Sequence, residues 1–183
     1  MLACLGAAPA FANWKLERGV EPPSYAVIEP ESSNLNINRV VLACEEAGHV
    51  KILQLQIYLS TEGPLSPKGV ESRRLKRDPR AEIVIDGRVF PVGILFADTY
   101  AVLADETEQM FRRLSESLLD AMATGKVMVL RFDLLAERSG QPATFDGEAV
   151  IALQPGSGGA AVSAVRRCAT TTVSVASARH DRP

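Results

Sequence analysis

The chain has 183 residues, of which 46% are hydrophobic, 23% charged and 5% aromatic. Its 20 lysines and arginines nearly balance 22 acidic residues, so the net charge at pH 7 is −2. This length fits one domain, and the composition excludes wholesale disorder, collagen-like repeats and a polytopic membrane protein. The charge balance supplies no global positive field that would hold nucleic acid.

The first twelve residues have the pattern of a signal peptide rather than of a folded element. They carry no charge, and Ala10-Phe11-Ala12 is the small-x-small pattern that signal peptidase recognises. The positive region that opens such leaders is missing, so we expect a truncated leader at 1–12. A lipobox at Cys4 is the alternative, which the three residues before it disfavour. No later stretch is apolar enough to span a membrane, so we expect a periplasmic or secreted protein without a transmembrane segment.

Apolar or alternating runs predict the first strands at 25–29, 35–44 and 50–59. The polar break between the last two is short, so these strands should be antiparallel neighbours. Residues Val40–Ala43 are continuously apolar. This pattern is typical of a central strand that is covered on both faces.

The strongest local signal is Asp86-Gly87 between the apolar runs Ala81–Ile85 and Arg88–Ile94. This dipeptide predicts a type I′ β-hairpin, because both turn positions need a positive φ. Pro91 lacks an N–H group, so the second strand should lie at a sheet edge or bulge there.

One amphipathic helix is expected at about 106–124. Asp105 and Glu108 have capping-box spacing, Glu108 and Arg112 have i,i+4 spacing, and Gly125 fits the position that follows a helix. The apolar side chains at three- and four-residue spacing are Met110, Phe111, Leu114, Leu118 and Met122.

Two further strands are predicted at 127–133 and 145–153, followed by a small-residue segment that favours a short C-terminal helix ending near Cys168. Residues 169–183 are polar and should form a flexible tail. The elements together predict a mainly β fold, an antiparallel β-sandwich with one or two helices, as a single domain over residues 13–168.

Removal of the leader would leave two cysteines, Cys44 and Cys168, which are 124 positions apart. This spacing matches neither a CxxC redox motif nor a zinc knuckle. An even pair in an exported protein predicts a disulfide, which would tie the C-terminal segment to an early strand. The alternative is a reactive Cys168 thiol whose pKa is lowered by Arg166 and Arg167, without a histidine to assist it.

Chemistry-bearing motifs are sparse, and we expect no cofactor, no metal site and no catalytic residue. The glycines of 156–159 lack the lysine of a phosphate-binding loop, and the two histidines, His49 and His180, have no ligand-spaced neighbours. Three acidic residues lie near strand ends, where a glycosidase would place its acid and nucleophile: Asp86, Asp133 and Asp146. Turns and strand starts are the alternative explanation for these carboxylates.

Charge is uneven in only one segment, between Lys68 and Arg80. Its six positive residues are Lys68, Arg73, Arg74, Lys76, Arg77 and Arg80, against Glu71 and Asp78. A solvated loop explains this segment without any function. The functional interpretation is a contact for an anionic partner, whether membrane headgroups, an envelope polysaccharide or an acidic protein. No aromatic residue interleaves with the charges, which disfavours single-stranded nucleic acid.

The order of these features resembles that of small exported two-cysteine proteins of proteobacteria. The features are an early Trp14, the strand closing on Cys44, the Asp-Gly hairpin, the amphipathic helix, Val129–Phe132, the Phe145–Ala149 pattern and the terminal Arg166–Cys168. The layout is most similar to the type VI secretion-associated TagO/VasI-like family, and more loosely to the invasion-associated locus B family. The resemblance implies a non-enzymatic periplasmic accessory protein with a Cys44–Cys168 bridge, and it carries over no catalytic residue.

Three hypotheses about function follow. The first is an exported accessory or binding protein that contacts an envelope component. The second is an envelope hydrolase that uses the strand-end carboxylates, which requires two of them to meet across a cleft. The third is a carrier of a small apolar ligand between the sheet and the helix at Met110–Met122.

Overall fold

A computed structural model describes residues 14–97, 99–108, 111–136, 144–153, 156 and 158–170. Within these ranges the fold is mainly β, with two α-helices. The strands are β1 Lys15–Leu16, β2 Tyr25–Ile28, β3 Ser32–Ser33, β4 Ile37–Ala47, β5 Val50–Leu59, β6 Leu75–Ile85, β7 Arg88–Phe96, β8 Tyr100–Ala104, β9 Glu106–Glu108, β10 Phe111–Arg113, β11 Val127–Leu135 and β12 Gly147–Ala152. The helices are α1 Glu116–Thr124 and α2 Gly159–Thr170.

Ten strands form one antiparallel sheet in the order β1-β2-β4-β5-β8-β7-β6-β11-β12-β3. Strand β7 connects its two halves: Arg88–Val92 pair with β6, and Gly93–Phe96 pair with β8. A single hydrophobic cluster contains side chains from both halves and from both helices. The sheet therefore curls around a shared core, and the prediction of an antiparallel, sandwich-like β fold is confirmed.

The Asp-Gly hairpin is confirmed in detail. Asp86 and Gly87 have φ angles of 48° and 86°, as a type I′ turn requires. Pro91 lies in the part of β7 that pairs with β6 alone. Its missing N–H group therefore faces a locally open edge, as predicted.

The predicted helix at 106–124 is wrong over its first half. Residues Glu106–Glu108 and Phe111–Arg113 pair as a small antiparallel hairpin, and the helix begins only at Glu116. The N-cap is Ser115, whose Oγ accepts a hydrogen bond from the Leu118 N–H, rather than Asp105. Met110 lies outside the described residues.

Two further details of that helix prediction are corrected. Arg112 pairs with Thr107 across the hairpin, so Glu108 and Arg112 do not occupy successive turns of a helix. Gly125 follows α1 as predicted, but its φ is −71°. A Cβ at this position would lie 2.4 Å from Ile85 Cγ2 and 2.7 Å from the Ala121 carbonyl oxygen, so close packing explains the glycine.

The C-terminal helix is confirmed, and α2 packs against α1, β2, β4 and β5. It extends to Thr170, so residues 169 and 170, which were expected in the tail, belong to the helix. The Cys44–Cys168 disulfide is present, with a Cα–Cα distance of 6.3 Å. It joins α2 to the central strand β4, as the sequence predicted. The predicted leader at 1–12, Cys4 included, and residues 171–183 lie outside the described residues.

Candidate functional site

The basic segment is only in part the solvated loop that one interpretation of its charges favoured, because its second half belongs to the sheet. A 3-10 turn covers Ser72–Arg74, and strand β6 begins at Leu75. Leu75 pairs with Leu135 and Arg80 pairs with Asp133, so a bulge lies between these two points. The bulge carries the exposed Arg77 on the surface.

Two members of the basic segment contact a single buried carboxylate. Asp133 is 1% exposed. Its Oδ1 accepts a hydrogen bond from Lys76 Nζ at 2.5 Å, and its Oδ2 accepts bonds from Arg80 Nε and Nη2 at 3.0 and 2.6 Å. Lys76 and Arg80 therefore neutralise a charge inside the sheet, and this is a structural role that the sequence analysis did not assign to them.

These contacts decide the protonation of Asp133. Burial alone would raise the pKa of this carboxyl, but the hydrogen bonds and positive charges of Lys76 and Arg80 outweigh burial and lower it. A general acid needs the opposite shift, because it must hold its proton near neutral pH. Asp133 is therefore poorly suited to act as the acid of a glycosidase.

The other two carboxylates also hold backbone groups. Asp146 accepts hydrogen bonds from the N–H groups of Leu134 and Leu135 at 3.1 and 2.8 Å, at the bulge that follows Asp133. Asp86 accepts bonds from the N–H groups of Lys126 and Val127 at 2.9 and 3.0 Å. These two bonds lower the pKa of Asp86.

The structure brings Asp133 and Asp146 to neighbouring positions and leaves Asp86 apart. Asp86 contacts Val127, which is six residues from Asp133 along β11. At a rise of about 3.4 Å per residue, this separation is about 20 Å. Of the two neighbouring carboxylates, Asp133 is buried and ion-paired. The scissile bond of a substrate therefore cannot lie in contact with both carboxylates, as a glycosidase requires.

The remaining basic side chains face solvent. Arg73 pairs with Glu71 at 2.5 Å, and the two side chains are 82% and 64% exposed, so this pair adds little stability. Arg74 and Arg77 are exposed as well. Lys68 is exposed, and its Nζ donates to the Ser33 carbonyl oxygen at 2.9 Å.

A shallow groove of about 480 Å³ lies next to this segment, on the outer side of β11 and β12. Arg131 lies over the Phe145 ring at 4.6 Å and pairs with Glu82 at 2.6 Å. Arg80 reaches the same ring at 6.0 Å. The sequence marks Val129–Phe132 and the Phe145–Ala149 pattern separately, but it does not show that Arg131 meets Phe145, because only the pairing of β11 with β12 brings Phe145, which lies just before β12, next to Arg131.

The space proposed for an apolar ligand is filled by the protein itself. Leu118, Leu119 and Met122 are at most 1% exposed and pack in the core. The side chains that would line a carrier site beside this helix therefore contact other core residues.

Within the described ranges, no cluster of three or more histidine, cysteine, aspartate or glutamate side chains is arranged to hold a metal ion. His49 is exposed in the turn between β4 and β5, and His180 lies outside the described residues. Neither α-helix of the described chain has the length and apolar character needed to cross a membrane.

Comparison with family models, with curated proteins and with solved structures finds no match to this chain. The resemblance to exported two-cysteine proteins therefore remains a prediction that rests on the residues named above.

Proposed function

We propose that this chain is an exported accessory protein without catalytic activity, and that it binds an anionic surface of the cell envelope. The observation on which this proposal depends is that the basic side chains of the segment fall into two groups with different contacts. Lys76 and Arg80 neutralise the buried Asp133, whereas Arg73, Arg74 and Arg77 point into solvent from a 3-10 turn and a strand bulge. Solvent-exposed arginines at such positions contribute little to folding and are suited to phosphate or carboxylate recognition.

Two further observations support this proposal. The Cys44–Cys168 disulfide is of a kind that persists in oxidising compartments, which agrees with export. The three strand-end carboxylates hold backbone N–H groups or the cations Lys76 and Arg80, which leaves the hydrolase hypothesis with little support. The TagO/VasI-like resemblance agrees with an accessory role.

Binding assays on a charge-reversal variant test the proposal. The triple variant Arg73→Glu, Arg74→Glu, Arg77→Glu should keep the thermal stability of the parent, since these side chains make few folded-state contacts. An arginine near an anionic surface contributes about 1 kcal/mol, so the loss of three arginines should weaken binding to phosphatidylglycerol vesicles by at least about a hundredfold, and the three added negative charges should weaken it further. Wild-type binding should also decline as salt is added.

The matched control reverses three exposed basic residues elsewhere, Lys15, Arg18 and Lys126, with the same change in net charge. A second arm replaces vesicles with polygalacturonate, to separate headgroup phosphates from sugar carboxylates. Equal binding by the triple variant and the wild type, or an equal loss in the control, would refute the proposal.

A further inference from the structure

The first half of strand β7 has a neighbouring strand on one side only. Arg88–Val92 pair with β6, whereas β8 pairs with the second half of the strand, Gly93–Phe96. Within the described chain, the other side of Arg88–Val92 is therefore a sheet edge. Backbone N–H and C=O groups along such an edge can pair with an added strand.

The hairpin turn decides which backbone groups this edge offers. Ile85 and Arg88 flank the two-residue turn and form a hydrogen-bonded pair, so every second residue of β7 after Arg88 also bonds to β6. The backbone groups of the residues between them, Val89 and Pro91, are directed away from β6. Because proline has no N–H, the edge offers one donor, the Val89 N–H, and two acceptors, the carbonyl oxygens of Val89 and Pro91.

The side chains beside this edge are apolar on the outer face of the sheet. Val89 is 50% exposed. It is the last member of a row of cross-strand neighbours that continues through Val84, Val129 and Val150 of β6, β11 and β12. An aliphatic residue of an added strand, placed opposite Val89, would extend this row and cover the exposed part of Val89.

The other face of the strand carries a positive charge beside the edge. Arg88 is exposed, and its guanidinium lies 4.6 Å from the centre of the Phe90 ring. An acidic side chain opposite Arg88 on an added strand would pair with it. A second copy that paired Val89 with Val89 would instead bring the two Arg88 side chains to diagonal positions, where like charges repel. The edge therefore favours an acidic partner strand over a second copy.

We propose that the edge at Val89 and Pro91 binds a short extended segment of an acidic protein, which adds one antiparallel strand to the sheet. One aliphatic residue of the segment lies opposite Val89, donates its N–H to the Val89 carbonyl oxygen and accepts from the Val89 N–H. The residue two positions earlier donates its N–H to the Pro91 carbonyl oxygen. The residue directly after the aliphatic one is Asp or Glu and pairs with Arg88.

This site goes beyond the proposed function and does not rest on it. Arg77 lies near the start of β6, whereas Val84, the neighbour of Val89, lies next to the last residue of that strand. The two contacts are therefore at opposite ends of β6, and the failure of one leaves the other standing.

An amide NMR titration with the peptide acetyl-Ser-Thr-Thr-Val-Glu-Ser-amide tests the proposal, with its valine opposite Val89. The Val89 N–H should exchange rapidly with solvent in the protein alone, and the peptide should shift its signal and slow its exchange. N-methylation of the peptide's valine, or of the threonine two positions earlier, removes one donated bond and should weaken binding about fivefold. N-methylation of the threonine directly before the valine is the matched control, because that N–H is directed away from β7.

Two protein variants test the two sides of the contact. The wild type should prefer this peptide about threefold over its Glu-to-Gln analogue, and Arg88→Gln should bind both equally. Arg18→Gln, which also removes an exposed arginine, should keep the preference of the wild type. Val89→Pro removes the donor of the edge without removing a bond to β6, so it should lose binding while the amide signals of the core stay in place.

Three results would overturn the proposal: no saturable shift up to the solubility limit of the peptide, a Val89 N–H that is protected from exchange without peptide, or equal effects of the three N-methylations. Shifts confined to Arg73, Arg74 and Arg77 would assign the acidic peptide to the basic segment and would also overturn it. Broadening of the Val89 signal that grows with protein concentration, without peptide, would assign the edge to a second copy, with the same consequence.

Discussion

Replacement of Asp133 by asparagine removes the buried negative charge that holds Lys76 and Arg80. The carboxylate is 1% exposed and accepts three hydrogen bonds from these two side chains. Breaking a fully buried ion pair costs about 3–5 kcal/mol, because the remaining charge has no partner. The Arg80 side chain is 59% exposed and can be hydrated again, whereas Lys76 is only 17% exposed. We therefore expect a loss of about 3 kcal/mol from the free energy of unfolding, near the lower end of that range.

Urea denaturation at pH 7 measures this loss, with an unchanged m-value as the sign that the denatured state is the same. Asp78→Asn is the matched control, because Asp78 lies on the same strand and is exposed. A change within about 0.5 kcal/mol is expected for the control. A loss below 1 kcal/mol in Asp133→Asn would show that the two cations gain nothing from the carboxylate.

The pH dependence gives an independent check. The pKa of Asp133 is lowered in the folded state, so its contribution is fully present above its unfolded pKa and is lost as pH falls through the folded pKa. The difference between wild type and Asp133→Asn should therefore stay constant from pH 7 to about pH 5 and close below about pH 4. A difference that is the same at pH 7 and at pH 3 would refute the assignment of the loss to ionised Asp133.

Three further substitutions test other parts of the fold by the same denaturation assay. Replacement of both Cys44 and Cys168 by alanine should cost about 5 kcal/mol, because the disulfide closes a loop with a sequence separation of 124 residues; an unchanged midpoint would contradict this. Gly125→Ala should cost about 1–3 kcal/mol, since its Cβ would meet Ile85 and the Ala121 carbonyl, and a neutral effect would show that the contact relaxes. Ser115→Ala should cost about 1 kcal/mol through the lost N-cap, whereas no change would leave the start of α1 unexplained.

The parts of the fold that the sequence predicted well are those with local signals. The hairpin at Asp86-Gly87 depends on two φ angles, and residue type alone restricts these. Strands β4 and β5 alternate or are continuously apolar, and their short connection leaves only antiparallel pairing. The disulfide followed from the number of cysteines and the expectation of export, without any geometry.

The helix prediction failed because distant contacts override the local pattern. Residues 105–113 have a capping-box spacing and part of an apolar stripe, yet Gln54 Nε2 donates to the Arg112 carbonyl oxygen at 2.7 Å, and the Leu114 N–H donates to the Leu53 carbonyl oxygen at 2.8 Å. These bonds to β5 fix the segment in an extended conformation. Helix propensity is a weak preference. Where it favours the helix only slightly, contacts between distant residues decide the conformation of the segment.

The candidate site was only partly predictable for the same physical reason. The sequence marks the excess of positive charge between Lys68 and Arg80, but it does not show which cations are neutralised. Lys76 and Arg80 meet Asp133 across 57 and 53 residues of chain, and this pairing depends on the register of β6 with β11 and on the bulge between them. A local charge count is therefore an upper limit on the charge that a surface presents.

This limit decides which substitutions can test function. A variant that changes Lys76 or Arg80 alters the neutralisation of Asp133, so lost binding would be confounded with lost stability. Arg73, Arg74 and Arg77 do not contact that carboxylate, and an effect of their reversal on binding at constant stability can be assigned to the surface itself. The three arginines are therefore the part of the basic segment on which the proposed envelope contact depends.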